Sequence, residues 1–185
     1  MRYISVDPAT KSIAFLIADY NKTPIDIENL DTLINIDIVI TITRDLAPGV
    51  RNDSLDEVDR ITKITKFLDE NIKQFITDDT TLLIERQISG TKTYIMYVAL
   101  CTYFVMNNVK VVYIHPTKKN TLSIGGFKPD YRKYPDSYRA NKEHSRSMFL
   151  YCRDFFKNKD KIKYDKKYER DLSDCFTQLI YHLFL

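Results

Sequence analysis

The strongest constraint on this chain is a run of apolar residues at steps of three and four: Leu55, Val58, Ile61, Ile64, Leu68, Ile72 and Phe75. That spacing predicts a long amphipathic helix, which must lie on another layer to bury its apolar face. Ser54 followed three residues later by Glu57 fits a capping box and predicts where the helix starts. The chain before it is β-rich. Arg2 to Val6 and Ser12 to Ala18 flank the turn-forming segment DPATK and predict an antiparallel hairpin. Ile36, Ile38, Ile40 and Ile42 alternate with other residues at strand period.

After the helix, Thr80 to Ile84 reads as a short strand ending on Glu85 and Thr91 to Asn107 as a second helix. Lys110 to Ile114 reads as a fifth strand, closed by Pro116. Three strands, helix, strand, helix, strand imply an α/β protein with a mixed five-stranded sheet flanked by helices. Downstream, the sequence predicts a short helix from Pro116 to Ile124, with Gly125 and Gly126 as stop signals. A loop through 126–140, a helix from Asn141 to Phe156, a lysine-rich connector over 157–169 and a last helix over about Arg170 to Phe184 follow. Residues 20–34 read as a loop or partly ordered insertion. At 185 residues the chain is long enough for one full core and short for two, so 1–185 is read as a single domain.

Cys101, Cys152 and Cys175 lie far apart, and His115, His144 and His182 do not flank them at zinc spacing, which argues against a zinc site and a disulfide framework. The opening segment MRYISVDPAT has no secretory hydrophobic stretch, so an intracellular, reducing location is expected. The apolar stretch from Tyr94 to Met106 falls short of the roughly 20 residues that cross a bilayer, so no membrane span is expected.

The net charge of +3 conceals a division. Residues 116–170 carry 16 Lys and Arg against 7 Asp and Glu, whereas the remainder carries 12 against 18. The basic region is either a solvated surface or a phosphate-contacting face.

Four acids stand at element ends. Asp7 follows an apolar strand and Glu85 ends another; singly, each is also the ordinary first solvated residue of a loop. Asp171 and Asp174, three apart where an apolar helix begins, share a helical face; they also suit the positive end of a helix dipole. Gathered in one cleft, four carboxylates would repel one another, and a pair of divalent cations is the usual compensation. Such a pair suits metal-assisted phosphodiester hydrolysis.

The segment ISVDPATKSIAFLIAD resembles the first hairpin of RuvC-type Holliday junction resolvases, LLIERQ resembles their glutamate strand, and ERDLSDCFTQLIYHLF resembles their last helix. The motifs occur in the family's order and span nearly the whole chain. The Ile-, Lys-, Asn- and Asp-rich composition and the long basic stretch are most similar to the poxvirus branch. The resemblance implies a ribonuclease-H-like fold, with Asp7, Glu85, Asp171 and Asp174 as catalytic carboxylates holding two Mg²⁺ ions, Mn²⁺ being an alternative. It also implies hydrolysis of four-way junctions to 5′-phosphate and 3′-hydroxyl ends, and host cytoplasm as the location if the protein is poxviral. Ala9 departs from the family's usual glycine, and residues 20–34, 126–140 and 157–169 look longer than a minimal resolvase needs.

The family places a lysine soon after the fifth strand near the scissile phosphate; Lys118 or Lys119 matches, with Lys118 preferred as catalytic. The helix from Tyr94 to Met106 is apolar on nearly every side, and the resemblance implies a homodimer built on it. Backbone contacts to branched DNA are expected from Lys118, Lys119, Lys128, Arg132, Lys133, Arg139, Lys142 and Arg146, interleaved with Tyr131, Tyr134 and Tyr138. Two other functions remain open: a monomeric RNA-processing nuclease of the same fold, and a catalytically silent nucleic-acid-binding module.

Overall fold

The near-continuous apolar run at the start of the chain forms two strands buried on both faces. In the computed structural model, which describes residues 1–87, 91–119, 122–127 and 137–184, β1 (Arg2–Pro8) pairs antiparallel with β2 (Ser12–Tyr20). β3 (Ile36–Asp45) adds antiparallel to β2, β4 (Thr80–Glu85) runs parallel to β1, and β5 (Lys110–Ile114) runs parallel to β4. The order β3-β2-β1-β4-β5 makes a mixed five-stranded sheet.

Side chains alternate across a strand, so each face collects its own layer. On one face Ile4, Val6, Phe15, Leu82 and Ile84 meet Ile64 and Leu68 of α1 (Glu57–Asn71) and Met96, Leu100 and Phe104 of α2 (Lys92–Met106). On the other, Tyr3, Leu16 and Leu83 meet Met148 and Phe149 of α4 (Ser137–Cys152) and Leu172, Phe176 and Ile180 of α5 (Glu169–Leu183). Between them in sequence lies the single-turn helix α3 (Pro116–Lys119). No helix among the described residues is long and apolar enough to cross a membrane.

Several boundaries differ from the sequence expectation. The cap of α1 is Asp56, whose side chain accepts from the Asp59 amide at 2.7 Å, while Ser54 lies in a preceding 3-10 turn. A second acid-rich cap, two residues on, outcompetes the Ser54–Glu57 pattern. Asp56→Ala should therefore cost about 1 kcal/mol in urea unfolding, and Ser54→Ala well under half of that; equal losses would contradict the assignment. α1 also ends at Asn71, and a 3-10 turn carries Lys73–Phe75. Of its predicted stripe, Val58 and Ile61 face solvent. The helix after Pro116 is only Pro116–Lys119, α4 starts at Ser137 rather than Asn141, and α5 runs Glu169–Leu183.

Two segments without an expected role have structural ones. In the 20–34 segment, Ile25, Ile27 and Leu30 pack on the α4 and α5 core, and the Gly125 amide donates to the Ile27 carbonyl at 2.7 Å. Gly125 has φ +55°, and a Cβ there would stand 2.7 Å from Leu30 Cγ, so both backbone and space demand glycine. The lysine-rich connector runs along β3: Ile38 N donates to Lys157 O at 3.0 Å, and Thr41 Oγ1 donates to Lys163 O at 2.6 Å. It covers an edge that would otherwise offer unpaired backbone groups.

Candidate active site

Asp7 and Glu85 each stand one residue beyond the Val6–Ile84 pair, at the carboxyl ends of adjacent parallel strands. Alternation puts Asp7 on the face of Tyr3 and Ser5, and Glu85 on that of Leu83, which is the α5 face. Ser5 Oγ fixes that helix by donating to the Cys175 carbonyl at 2.7 Å. Because α5 packs across β1, β2 and β4, its first two turns bring Asp171 and Asp174 over the same strand ends. Asp174 is 3% exposed, while Asp171 lies nearer the rim.

Two ammonium groups lie among these acids. Lys119 Nζ, buried, is 2.5 Å from Glu85 Oε2 and 2.9 Å from Asp174 Oδ1. Lys142 Nζ, from α4, pairs with the other Asp174 oxygen and lies 3.4 Å from Asp7 Oδ2. Asp174 is thus shared between both cations.

The electrostatics follow from burial against pairing. Burial pushes the Asp7 carboxyl up to about 7; Lys142 opposes this and Asp174 adds to it. Burial also works against ionised Asp174, but Lys119 and Lys142 overcome it and hold that carboxyl below its ordinary value. Both lysines are raised, since the surrounding acids outweigh their own desolvation. Asp171 is raised by burial, with Lys142 opposing.

As the side chains stand, no group of three or more His, Cys, Asp and Glu among the described residues is spaced to hold a metal ion. The lysines nonetheless act as stand-in cations. Carboxylate oxygens from three separate elements reach one shared positive charge or another, and the set is all hard oxygen, as magnesium or manganese requires. Two ammoniums also leave four carboxylates under-neutralised. The donor set therefore fits a divalent ion.

The structure brings together Asp7, Glu85 and Asp174, with Asp171 close enough for its charge to act on Asp7 and Lys142. Between the two candidate lysines it turns Lys119 into the cluster and leaves Lys118, the one preferred from the sequence, exposed. On a single helical turn after His115, successive lysines point in directions about 100° apart, and sequence alone does not choose which faces the acids. Lys142, expected to contact DNA, also folds onto the acids; α4 delivers it there, a tertiary fact with no local signal. Arg146 pairs with Glu143 at 2.8 Å and with Glu169 at 2.5 Å. Arg139 is exposed. Lys128, Arg132, Lys133, Tyr131 and Tyr134 lie outside the described residues, as does the side chain of Tyr138.

No family model matches the sequence, and no curated protein matches it. Solved structures do. The fowlpox virus resolvase in complex with substrate Holliday junction DNA matches with a TM-score of 0.64 at 18% identity, over 99% of this chain and 97% of that one. RuvC of Thermus thermophilus matches with a TM-score of 0.61 at 12% identity, over 100% and 94%. The same RuvC in complex with a Holliday junction substrate matches with a TM-score of 0.57 at 11% identity, over the same shares. The chain therefore has the ribonuclease-H-like fold of RuvC and of the fowlpox virus resolvase.

Proposed function

We propose that this protein is a structure-selective DNA endonuclease that resolves four-way junctions by metal-dependent phosphodiester hydrolysis. The observation that carries the reading is the sharing of two ammonium ions among Asp7, Glu85 and Asp174 at the strand ends of this fold. Neighbours of that fold have been crystallised with Holliday junction DNA, which supports the same kind of substrate. A surface meant only to bind DNA gains nothing from four clustered carboxylates, which repel phosphate.

Asp7, Glu85, Asp171 and Asp174 are the residues that would hold two Mg²⁺ ions. When bound, such a pair supplies an activated water and stabilises the leaving oxygen, leaving 5′-phosphate and 3′-hydroxyl ends. Lys119 and Lys142, released from the acids, offer point charges to phosphate oxygens. Lys118 and Arg139, both exposed, extend the basic face outward, and Lys128, Arg132, Lys133 and Arg146 are assigned to it as well.

The active unit in this reading is a homodimer. Val98, Val105 and Met106 of α2 are exposed, and Val58 and Ile61 of α1 continue the patch. An apolar cavity of about 630 Å³ lies between the two helices, lined by Ile61, Tyr94, Val98 and Met106 among others. Exposed apolar area of this extent supports an interface, and a two-fold dimer matches the near two-fold symmetry of a four-way junction. It also disfavours the monomeric RNA-processing alternative. Val98→Glu is expected to shift the dimer to monomer by light scattering, with dissociation at least about tenfold easier; a wild-type chain that is monomeric at micromolar concentration would overturn the interface.

The test of the function is direct. Purified protein and a synthetic four-way junction should give paired, ligatable nicks on addition of Mg²⁺ or Mn²⁺, and none in chelator. A protein that cuts no junction with either ion is not a resolvase.

A further inference from the structure

A second cavity, of about 600 Å³, opens at the same end of the sheet as the carboxylates but on the α2 face. Arg86 and Gln87 leave β4 along its rim, Tyr94 and Tyr97 come from the first turns of α2, and Tyr113 and His115 from the end of β5. Tyr94 and Tyr97 stack with centroids 5.8 Å apart at 28°, and Tyr97 and Tyr113 lie 6.1 Å apart at 46°. Tyr113 is 57% exposed, too open to serve the core.

We infer that this cavity is a nucleobase site, which takes one base unstacked from the DNA strand whose phosphate lies at the carboxylates. The chemistry matches on three counts. The tyrosine rings offer flat faces, and base–aromatic stacking tolerates any sequence because every base has a π face. The Arg86 guanidinium, the Gln87 amide and the tyrosine hydroxyls are hydrogen-bonding groups suited to a base edge. The volume lies within the range of about 300–1,000 Å³ common to small-molecule sites.

Position supplies the second argument. Arg86 directly follows Glu85, and Tyr113 and Ile114 pair with Ile84 and Glu85 in adjacent strands. The cavity and the acids therefore lie at the same strand ends, on opposite faces of the sheet edge. A base one or two nucleotides from the attacked phosphate can reach it. The centre of a four-way junction, where stacking is already interrupted, is where unstacking costs least. The source of the base rests on the nuclease reading above, whereas the chemistry of the cavity does not.

The test uses the full chain in chelator, with 2-aminopurine placed one or two nucleotides from the nicked phosphate of a four-way junction, in a single-stranded oligonucleotide, or as the free nucleoside. Binding of wild-type protein should change the fluorescence of the strand-borne probe. Tyr113→Ala should abolish most of that change and weaken binding about tenfold, while Tyr113→Phe keeps both, and circular dichroism should be unaltered in each. An unchanged signal and affinity in Tyr113→Ala overturns the site. If junctions are nicked yet no probe responds through Tyr113, the nucleobase site falls and the resolvase reading stands. If the single strand responds through Tyr113 while no junction is cut, the site stands and that reading falls. A response to the free nucleoside equal to that of the strand overturns the strand as its source.

Discussion

Asp174→Asn is expected to lower junction cleavage by at least about a thousandfold, which corresponds to roughly 4 kcal/mol of lost transition-state stabilisation. Asparagine preserves the shape of a side chain that is 3% exposed and replaces one carboxylate oxygen by an amide that is a donor. That donor would face one of the ammonium groups now paired with Asp174, Lys119 or Lys142. The variant therefore loses the one acid common to both cation positions. Glu85→Gln should show a similar loss, since Glu85 supplies the other partner of Lys119. Junction binding, measured by gel shift in chelator, should survive in both, because removing a negative charge does not weaken attraction to phosphate. Calorimetry with Mg²⁺ alone should register weaker binding in both variants. Undiminished cleavage by either variant would mean the metal-ligand assignment is wrong.

The parts of the fold legible in the sequence were those governed by local pattern. The β1–β2 hairpin and β5 follow from alternation and turn residues, and α2 lies within one residue of its expected limits, with Thr91 as its cap, accepting from the Tyr94 amide. Where two local signals compete, pattern fails. The Ser54–Glu57 box and the Asp56–Asp59 cap lie two residues apart, and only the packing of Ile64 and Leu68 against β1 and β4 decides between them. The shared face of Asp7 and Glu85 follows from period-2 alternation once β1 and β4 are known to be parallel neighbours in register. That pairing is non-local, and here it came from the resemblance of ordered motifs rather than from periodicity. Lys142 was the least legible. Its approach to Asp7 and Asp174 depends on how α4 crosses α5, some thirty residues away in sequence, and nothing near it marks it apart from other lysines of the basic stretch.

Lys119→Met should destabilise the protein by about 3–5 kcal/mol in the absence of divalent ions, a cost typical of removing one partner from a buried ion pair. Methionine fills much of the volume, so packing contributes little to the loss. What changes is charge: Glu85 and Asp174, now held 2.5 and 2.9 Å from one ammonium, would keep only Lys142 to offset a cluster that also includes Asp7. Lys118→Met serves as the control, because an exposed neighbour should cost within about 0.5 kcal/mol. The two readings of Lys119 then separate on metal. If the ammonium stands in a cation position, Mg²⁺ should raise the melting temperature of Lys119→Met more than that of the wild type, since in the wild type the ion must first displace a bound cation. A purely structural lysine would leave a variant that is unstable to the same degree with or without Mg²⁺. A variant as stable as wild type in chelator would show that the Glu85–Lys119–Asp174 bridge contributes nothing to the fold. Its cleavage rate adds an independent reading: a lysine that only compensates charge in the metal-free protein is dispensable once Mg²⁺ has restored stability, whereas one that binds the phosphate leaves the refolded variant slow.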